Sequence, residues 1–295
     1  MRLAAASKQQ AAATAAASDK QAALRRMLAE WPSLIVAYSG GVDSAYLSWI
    51  ATDTLGSRAL CITADSPSYP EHHRALALRL AREFGFNHEI IRTNELDSAA
   101  YRANHGDRCY HCKHELYAQL SGIAHTRGIG AIADGSNADD RGDYRPGRQA
   151  AREYGIVSPL DAVGLTKDEI RALSRVAGLP TWDEPASACL SSRIPYFSEV
   201  TDEKLRMIER GENALRDLGF RVCRVRHHTQ TGANGRQESI ARLEIGRDEM
   251  ARAIEPEVAD AIDRALRAIG YQHVALDLRG YRLGSLNDAL RLRPV

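Results

Sequence analysis

One feature narrows the possible folds more than any other: an alternation that runs through the first half of the 295-residue chain. The apolar run SLIVAYS leads into a helical stretch from Asp43 to Leu55. ALCITADS leads into PEHHRALALRLAREFG, HEIIRTNE into a helix from about Cys112 to Arg127, and GIGAIADGSN closes the series. Strand-length runs alternating with helices at this rhythm predict an α/β fold, a parallel sheet covered by helices on both faces. Ligands of such sheets bind beyond the carboxyl ends of the strands. That rule gathers Ser39–Ser44, Asp65 and Ser66 (with Thr63 just before them), Glu95 and Gly135–Asn137 along one rim as the expected site.

The rhythm changes after about residue 160. TKDEIRALSRVAGL is a helix with Thr166 as N-cap and Glu169 three residues on, the pattern of a capping box. PTWDEPASACLSSRIPYFSEV is long, rich in proline and serine, and aperiodic, and loops of this length in a compact chain are usually functional or disordered. Next come a helix from Asp202 to Leu218, a strand from Phe220 to Arg226, a polar insert HTQTGANGRQES, a strand from Ile240 to Ile245, two helical segments and HVALDLRG. The expected division is an alanine-rich flexible tail over 1–18, a nucleotide-type domain over 19–160, and a smaller α/β domain over 161–295 with its functional loop at 180–198. DKQAALRRMLAEW at the first boundary is helical in spacing, with Leu24, Met27 and Leu28 on one face.

The net charge of +1 gives no electrostatic ground for nucleic-acid or membrane partners, and neither is expected. No apolar stretch approaches the ~20 residues of a membrane span. The first residues lack the continuous apolar core of a secretory signal, a transit-like peptide being the alternative reading. Five cysteines without such a signal point to reduced thiols in the cytoplasm.

Between the first strand and its helix stands SGGVDS, residues 39 to 44. It lacks the lysine of the Walker loop and the spacing of the dinucleotide fingerprint. It matches the PP-loop of the ATP pyrophosphatases, which split ATP between its α- and β-phosphates. Gly40 and Gly41 let the backbone approach an anion, and Ser39 and Ser44 add hydroxyl donors. A pyrophosphate leaving group calls for Mg²⁺, and Asp43 is the residue to place it, directly or through water. This loop leaves the acceptor open. Amidotransferases, NAD synthetases, argininosuccinate synthetases and tRNA thiolases all use it.

Cys189 lies in PASACLSSRIPY, among small hydroxylated neighbours and four residues before Arg193. A nearby cation raises the thiolate fraction, so a reactive thiol and an inert buried one both stand as readings. Cys109 and Cys112 form RCYHCK, which reads as a redox pair, half of a metal site, or structural thiols. Cys61 and Cys223 lie inside strands and read as core. In RVRHH, strand alternation sends Arg224 and Arg226 to one face, where they suit an anion or a solvated surface. DLRGYRLGSLN adds Arg279, Tyr281 and Arg282 as an interface or a wall of the site.

Together YSGGVDS, ITADSPSYP, DRCYHCKHELY, DGSNADDRGDYRPG, EPASACLSSRIPY, RVRHH, ARLE and DLRGYRLGSLN carry a resemblance to the LarE family of ATP-dependent sacrificial sulfur transferases. It covers nearly the whole chain from about residue 20. The PP-loop is common to the superfamily, whereas the cysteine segment taken with RVRHH is much more specific. The alanine-rich tail and the insert TQTGANGRQES fall outside it.

The resemblance implies adenylation, with ATP and Mg²⁺, of a carboxylate of pyridinium-3,5-dicarboxylic acid mononucleotide in nickel-pincer cofactor synthesis for lactate racemase. It implies attack by Cys189 on the acyl adenylate, then cleavage of the Cβ–S bond to leave a thiocarboxylate and dehydroalanine. It implies a homo-oligomer, a hexamer in the family; on physical grounds Arg193 suits stabilisation of the thiolate or the substrate carboxylate, and Arg224 and Arg226 suit the substrate phosphate. Some relatives hold an iron–sulfur cluster on three cysteines; LSSR after Cys189 brings no second cysteine and favours the sacrificial type. The competing readings are a PP-loop tRNA thiolase, which calls for a basic RNA-binding surface, and an NAD synthetase-like amide ligase, which needs no cysteine.

Overall fold

The computed structural model describes residues 2–142, 146–185, 188–282 and 285. Parts of the RGDYRPG, PASAC and YRLGSLN segments lie outside the described residues. The chain forms two compact units. The first comprises Met1–Ser66, Glu71–Thr93 and Cys109–Ser187; the second comprises Pro67–Pro70, Asn94–Arg108 and Ala188–Val295.

The first unit holds β1 (Leu34–Ala37), β2 (Ala59–Asp65), β3 (Asn87–Arg92) and β4 (Ala131–Ala133) in one parallel sheet of order β3-β2-β1-β4. Leu34 is level with Ala59 on one side and Ala131 on the other. Successive side chains point to opposite faces, and both faces are buried. Leu34, Val36, Ala59 and Cys61 join one core, whereas Ile35, Leu60, Ile62 and Ile132 join another with Tyr117 and Leu120. Burial on both sides is why these strands read as unbroken apolar runs rather than as alternation. The expected α/β parallel sheet is therefore the observed one. Strand order reverses at β1, so its carboxyl end and that of β4 flank the switch point where such sheets bind ligands.

Helix Arg2–Ala29 includes the alanine-rich start, in keeping with the high helix propensity of alanine, and buries Leu24 and Leu28 in the first core. Helix Lys167–Val176 carries the expected capping box: Thr166 accepts from the Glu169 amide while Glu169 accepts from the Thr166 amide. Its Ile170 and Leu173 also belong to the first core.

The second unit holds β5 (Cys223–Thr231), β6 (Gln237–Ile245) and β7 (His273–Leu276). β5 runs antiparallel to β6, and β6 parallel to β7. Leu215, Phe220, Val225, Leu243, Ile245, Ile262 and Leu266 form its core with helices Asp202–Asp217 and Pro256–Ile269. The polar insert is no separate loop. It lengthens the hairpin until Thr231 pairs with Gln237, leaving a short turn in which Gly235 adopts φ +72°.

Buried His227 meets the Tyr271 hydroxyl at 3.2 Å. Burial, with Lys204 and His228 nearby, lowers its pKa to about 4 from 6.5. The unfolded chain therefore binds more protons between those values, and stability that is full above about pH 6.5 is lost as pH falls towards 4. We predict that urea unfolding at pH 7 and pH 5 records this loss and that His227→Gln removes a measurable part of it. An unchanged pH slope in the variant would refute the assignment.

Candidate active site

In the first unit the SGGVDS turn links β1 to helix Val42–Leu55. Gly40 has φ +69°, and a Cβ there would lie 2.9 Å from that of Ala77, so the position demands glycine twice over. Gly41 differs. Its φ is an ordinary −73° and an added Cβ would meet only Ser39 Oγ, at 3.6 Å. The fold itself does not require glycine at 41. The turn is closed by Ser44 Oγ, which accepts from the Ser39 amide at 3.1 Å, lies 3.1 Å from Ser39 Oγ and donates to Gly41 O at 3.1 Å.

The turn after β4 packs against the same helix start. A Cβ on Gly135 would approach Ser44 N to 3.0 Å and Ser44 Cα to 3.2 Å, so backbone meets backbone there. Asp134 fixes this turn. It accepts from the Ser136 amide and hydroxyl, from Ser158 Oγ and from Tyr117 OH. Asn137, itself buried, donates from Nδ2 to Asp43 Oδ1 at 3.3 Å.

The other carboxylate oxygen of Asp43 takes the ammonium of Lys167, a residue absent from the sequence reading. Lys167 opens helix Lys167–Val176, and its amide donates to Asp139 Oδ2 at 2.8 Å. Asp43 and Lys167 keep 23% and 32% of their side-chain surface exposed, so a ligand has access to both. Asp65 pairs with Arg74 at 3.2 Å, and Ser66 stands half-buried just past β2. Thr63 is placed differently: its buried hydroxyl donates to Tyr38 O and meets His88 Nε2, each at 2.9 Å. It holds the chain entering the turn.

The second unit contains the cysteine loop. Cys189 is half-buried and precedes the single 3₁₀ turn Leu190–Arg193. Glu95 is buried in this unit with Ser68 and Tyr101, and the Leu190 amide donates to Ser68 O at 2.8 Å. Arg193 is 1% exposed and its fork is occupied. Nε and Nη2 hold Glu212 at 2.8 and 3.0 Å, while Nη1 reaches Ala188 O at 2.7 Å, Cys189 O at 3.0 Å and Ser192 Oγ at 2.9 Å. The guanidinium thus grips the backbone at the cysteine. Burial alone would raise the Glu212 pKa, but Arg193, with Arg224 and Arg216, holds it below the ordinary carboxylate range.

Arg224 and Arg226 are both buried. Arg224 donates to Cys223 O at 2.7 Å and lies over the Tyr281 ring, 5.1 Å from its centroid. Arg226 donates to Ser192 O at 2.8 Å, to Glu244 at 2.6 Å and to Ser285 Oγ at 2.8 Å. Its Nε is buried without a partner among the described residues. Glu244 and Asp277 also take Arg242. Arg193, Arg216, Arg224, Arg226 and Arg242 thus gather around the carboxylates of Glu212, Glu244 and Asp277. Burial, followed by repulsion from Arg193, lowers the Arg224 pKa.

Glu212 left a trace in the sequence. Leu205, Ile208 and Leu215 mark a buried helix face, and Glu212 falls on that same stripe. Cys61 and Cys223 are core residues, as read, and burial raises both thiols to about 11. Cys109 is exposed and Cys112 half-buried in the first turns of helix Arg108–Arg127. Among the described residues no group of three or more His, Cys, Asp or Glu is arranged to hold a metal, and no helix is long and apolar enough to cross a membrane.

No family model matches the chain. It is 40% identical over 267 residues to an uncharacterized protein of Synechocystis, covering 90% of this chain and 96% of that one. An uncharacterized protein of Methanocaldococcus jannaschii is 27% identical over 249 residues, covering 84% of this chain and 90% of its own. The pyridinium-3,5-bisthiocarboxylic acid mononucleotide synthase of Lactiplantibacillus plantarum is 33% identical over 272 residues, covering 92% of this chain and 95% of its own. A similarity of that extent takes in both compact units, and the chain belongs to the pyridinium-3,5-bisthiocarboxylic acid mononucleotide synthase family.

Proposed function

We propose that this enzyme uses ATP to adenylate a carboxylate of pyridinium-3,5-dicarboxylic acid mononucleotide, releases pyrophosphate, and transfers the sulfur of Cys189 to form a thiocarboxylate for the nickel-pincer cofactor of lactate racemase. The observation that carries the reading is Cys189 in a loop tied down by Arg193, Glu212 and Arg226, beside the buried guanidinium groups of Arg224 and Arg226. A mononucleotide phosphate is an anion of the kind that guanidinium groups bind. The ATP phosphates belong at Ser39, Gly40, Gly41 and Ser44, with Asp65, Ser66, Gly135 and Asn137 around them, and Thr63 supporting the turn. Glycine at 41, where the fold does not ask for it, suits close approach of a phosphate to the backbone.

Mg²⁺ fits this donor set. Asp43 offers a partly exposed hard oxygen, and Mg²⁺ is commonly held by one or two carboxylates together with substrate phosphates and water. Bound there, it would neutralise charge on the departing pyrophosphate. Lys167 then becomes available to a phosphate. On this reading each chain yields one sulfur and ends as dehydroalanine, and the enzyme works in the cytoplasm as a homo-oligomer, a hexamer on the family pattern. Light scattering of the purified chain measures the assembly. Intact-mass analysis before and after a single turnover tests the reaction, which requires loss of the mass of hydrogen sulfide.

Arg224→Ala and Arg226→Ala are expected to weaken binding of the acceptor mononucleotide by about 1.5–3 kcal/mol each while leaving ATP affinity nearly unchanged. Calorimetric titration of both ligands is the check. Equal losses for ATP and acceptor would make the pair structural.

A further inference from the structure

On the reading above, the thioester formed at Cys189 must lose its Cα proton before the sulfur can leave. That proton is weakly acidic, and the charge left behind spreads into the residue's own carbonyl. The Cys189 carbonyl oxygen is therefore where the enolate charge develops. Two donors already meet it: the Ser192 amide at 2.9 Å and Arg193 Nη1 at 3.0 Å. The guanidinium is kept in place by its bidentate bond to buried Glu212.

We infer that Arg193 and the Ser192 amide are an oxyanion pair for Cys189 itself, stabilising the enolate that forms on the cysteine carbonyl as the sulfur departs. This inference rests on the sulfur-donor reading and assigns Arg193 a step later than thiolate activation. In that step the Cα–H bond breaks and its proton passes to water. Its electron pair is held on Cα and the carbonyl oxygen, then forms the Cα=Cβ bond. The Cβ–Sγ bond breaks with its pair on sulfur, releasing the thiocarboxylate. No atom changes hands with an outside oxidant or reductant. Donors already aimed at the oxygen stabilise the transition state without reorganising, which is where such pairs have their largest effect. A cation contributes more than a neutral donor because the bond strengthens as the oxygen becomes charged.

The test is a single turnover with ATP, Mg²⁺ and the dicarboxylate mononucleotide, followed by intact mass and AMP release. Deleting the Arg193 side chain would strand Glu212 as a buried charge, so Arg193→Lys is used. Ser192→Pro removes the amide donor, and with it the Oγ that accepts from Arg193 Nη1, while Arg193 Nε and Nη2 keep Glu212, so misfolding of one variant does not disable the other. The wild-type chain should pass quickly to the mass lacking hydrogen sulfide. Each variant should release AMP faster than it loses sulfur and so accumulate a chain heavier by the acyl group. That adduct should be cleaved by hydroxylamine and decay about 10²–10³-fold more slowly than in the wild type. Variants that form no adduct, or that lose hydrogen sulfide at the wild-type rate, overturn the inference while leaving the sulfur-donor reading intact. A wild-type chain of unchanged mass overturns both.

Discussion

Asp43→Asn is expected to abolish pyrophosphate release while the protein remains folded. The two effects separate because of how Asp43 is held. Asn137 Nδ2 donates to Oδ1 across 3.3 Å, and an amide oxygen at the same position accepts that bond equally well. What the substitution removes is the negative charge that holds Lys167. Both partners are partly exposed, and an ion pair of that kind contributes only about 0–1 kcal/mol to stability. In the proposed reaction the same charge places Mg²⁺ against the pyrophosphate, where the loss is not buffered by solvent. Pyrophosphate release measured with a coupled assay, beside circular dichroism and thermal unfolding of the variant, reads both quantities. A folded variant with normal turnover would remove Asp43 from the metal role. Lys167→Ala offers a contrast: Mn²⁺ affinity of the nucleotide-free protein should rise, because the cation competing for Asp43 is gone.

Much of this site was legible locally. SGGVDS after an apolar run fixes a strand, a turn and a helix start by itself, because φ > 0 at Gly40 and the helix beginning at Val42 are short-range consequences of the sequence. The capping box at Thr166 is equally local. What stayed hidden is pairing at a distance. Asp43 and Lys167 are 124 positions apart, and no feature of TKDEIRAL marks its lysine as a partner for the turn. Helix Lys167–Val176 follows the change of rhythm near residue 160, yet its apolar face completes the first core.

The arginines show the same limit in another form. Alternation correctly placed Arg224 and Arg226 on one face, but a period of two cannot say whether that face meets water, a ligand or glutamates. The cross-strand register decides it, setting Arg224 opposite Glu244 and Arg226 opposite Arg242, with Glu244 bridging the like charges. The strand lengths at the insert were misjudged because TQT and RQES carry no apolar alternation. There the hairpin is held by backbone pairing between two exposed polar strands, a source of order that hydrophobic pattern does not report.

Cys189→Ala is expected to adenylate the acceptor at close to the normal rate and yield no thiocarboxylate. The division follows from the chain's construction. The residues proposed for ATP lie in the first compact unit, and Cys189 lies in the second, in a loop whose shape is set by bonds to backbone atoms. Those bonds go to the carbonyls of Ala188, Cys189 and Ser192, all of which survive when the thiol is deleted. The variant should therefore keep the loop and lose only the nucleophile. In the wild-type protein, one turnover should remove the mass of hydrogen sulfide, and peptide mapping should locate the dehydroalanine at position 189. Loss at Cys109 or Cys112 would move the donor to the cysteine pair on helix Arg108–Arg127. Cys61 and Cys223 are poor alternatives on physical grounds, since burial raises both thiols to about 11 and leaves little thiolate at neutral pH. Repeated turnover with Cys189 unchanged and sulfide supplied from outside would replace sacrifice by a recycled sulfur carrier. The adenylation chemistry assigned to the first unit would stand, and the enolate step argued for Arg193 would fall with the sacrifice.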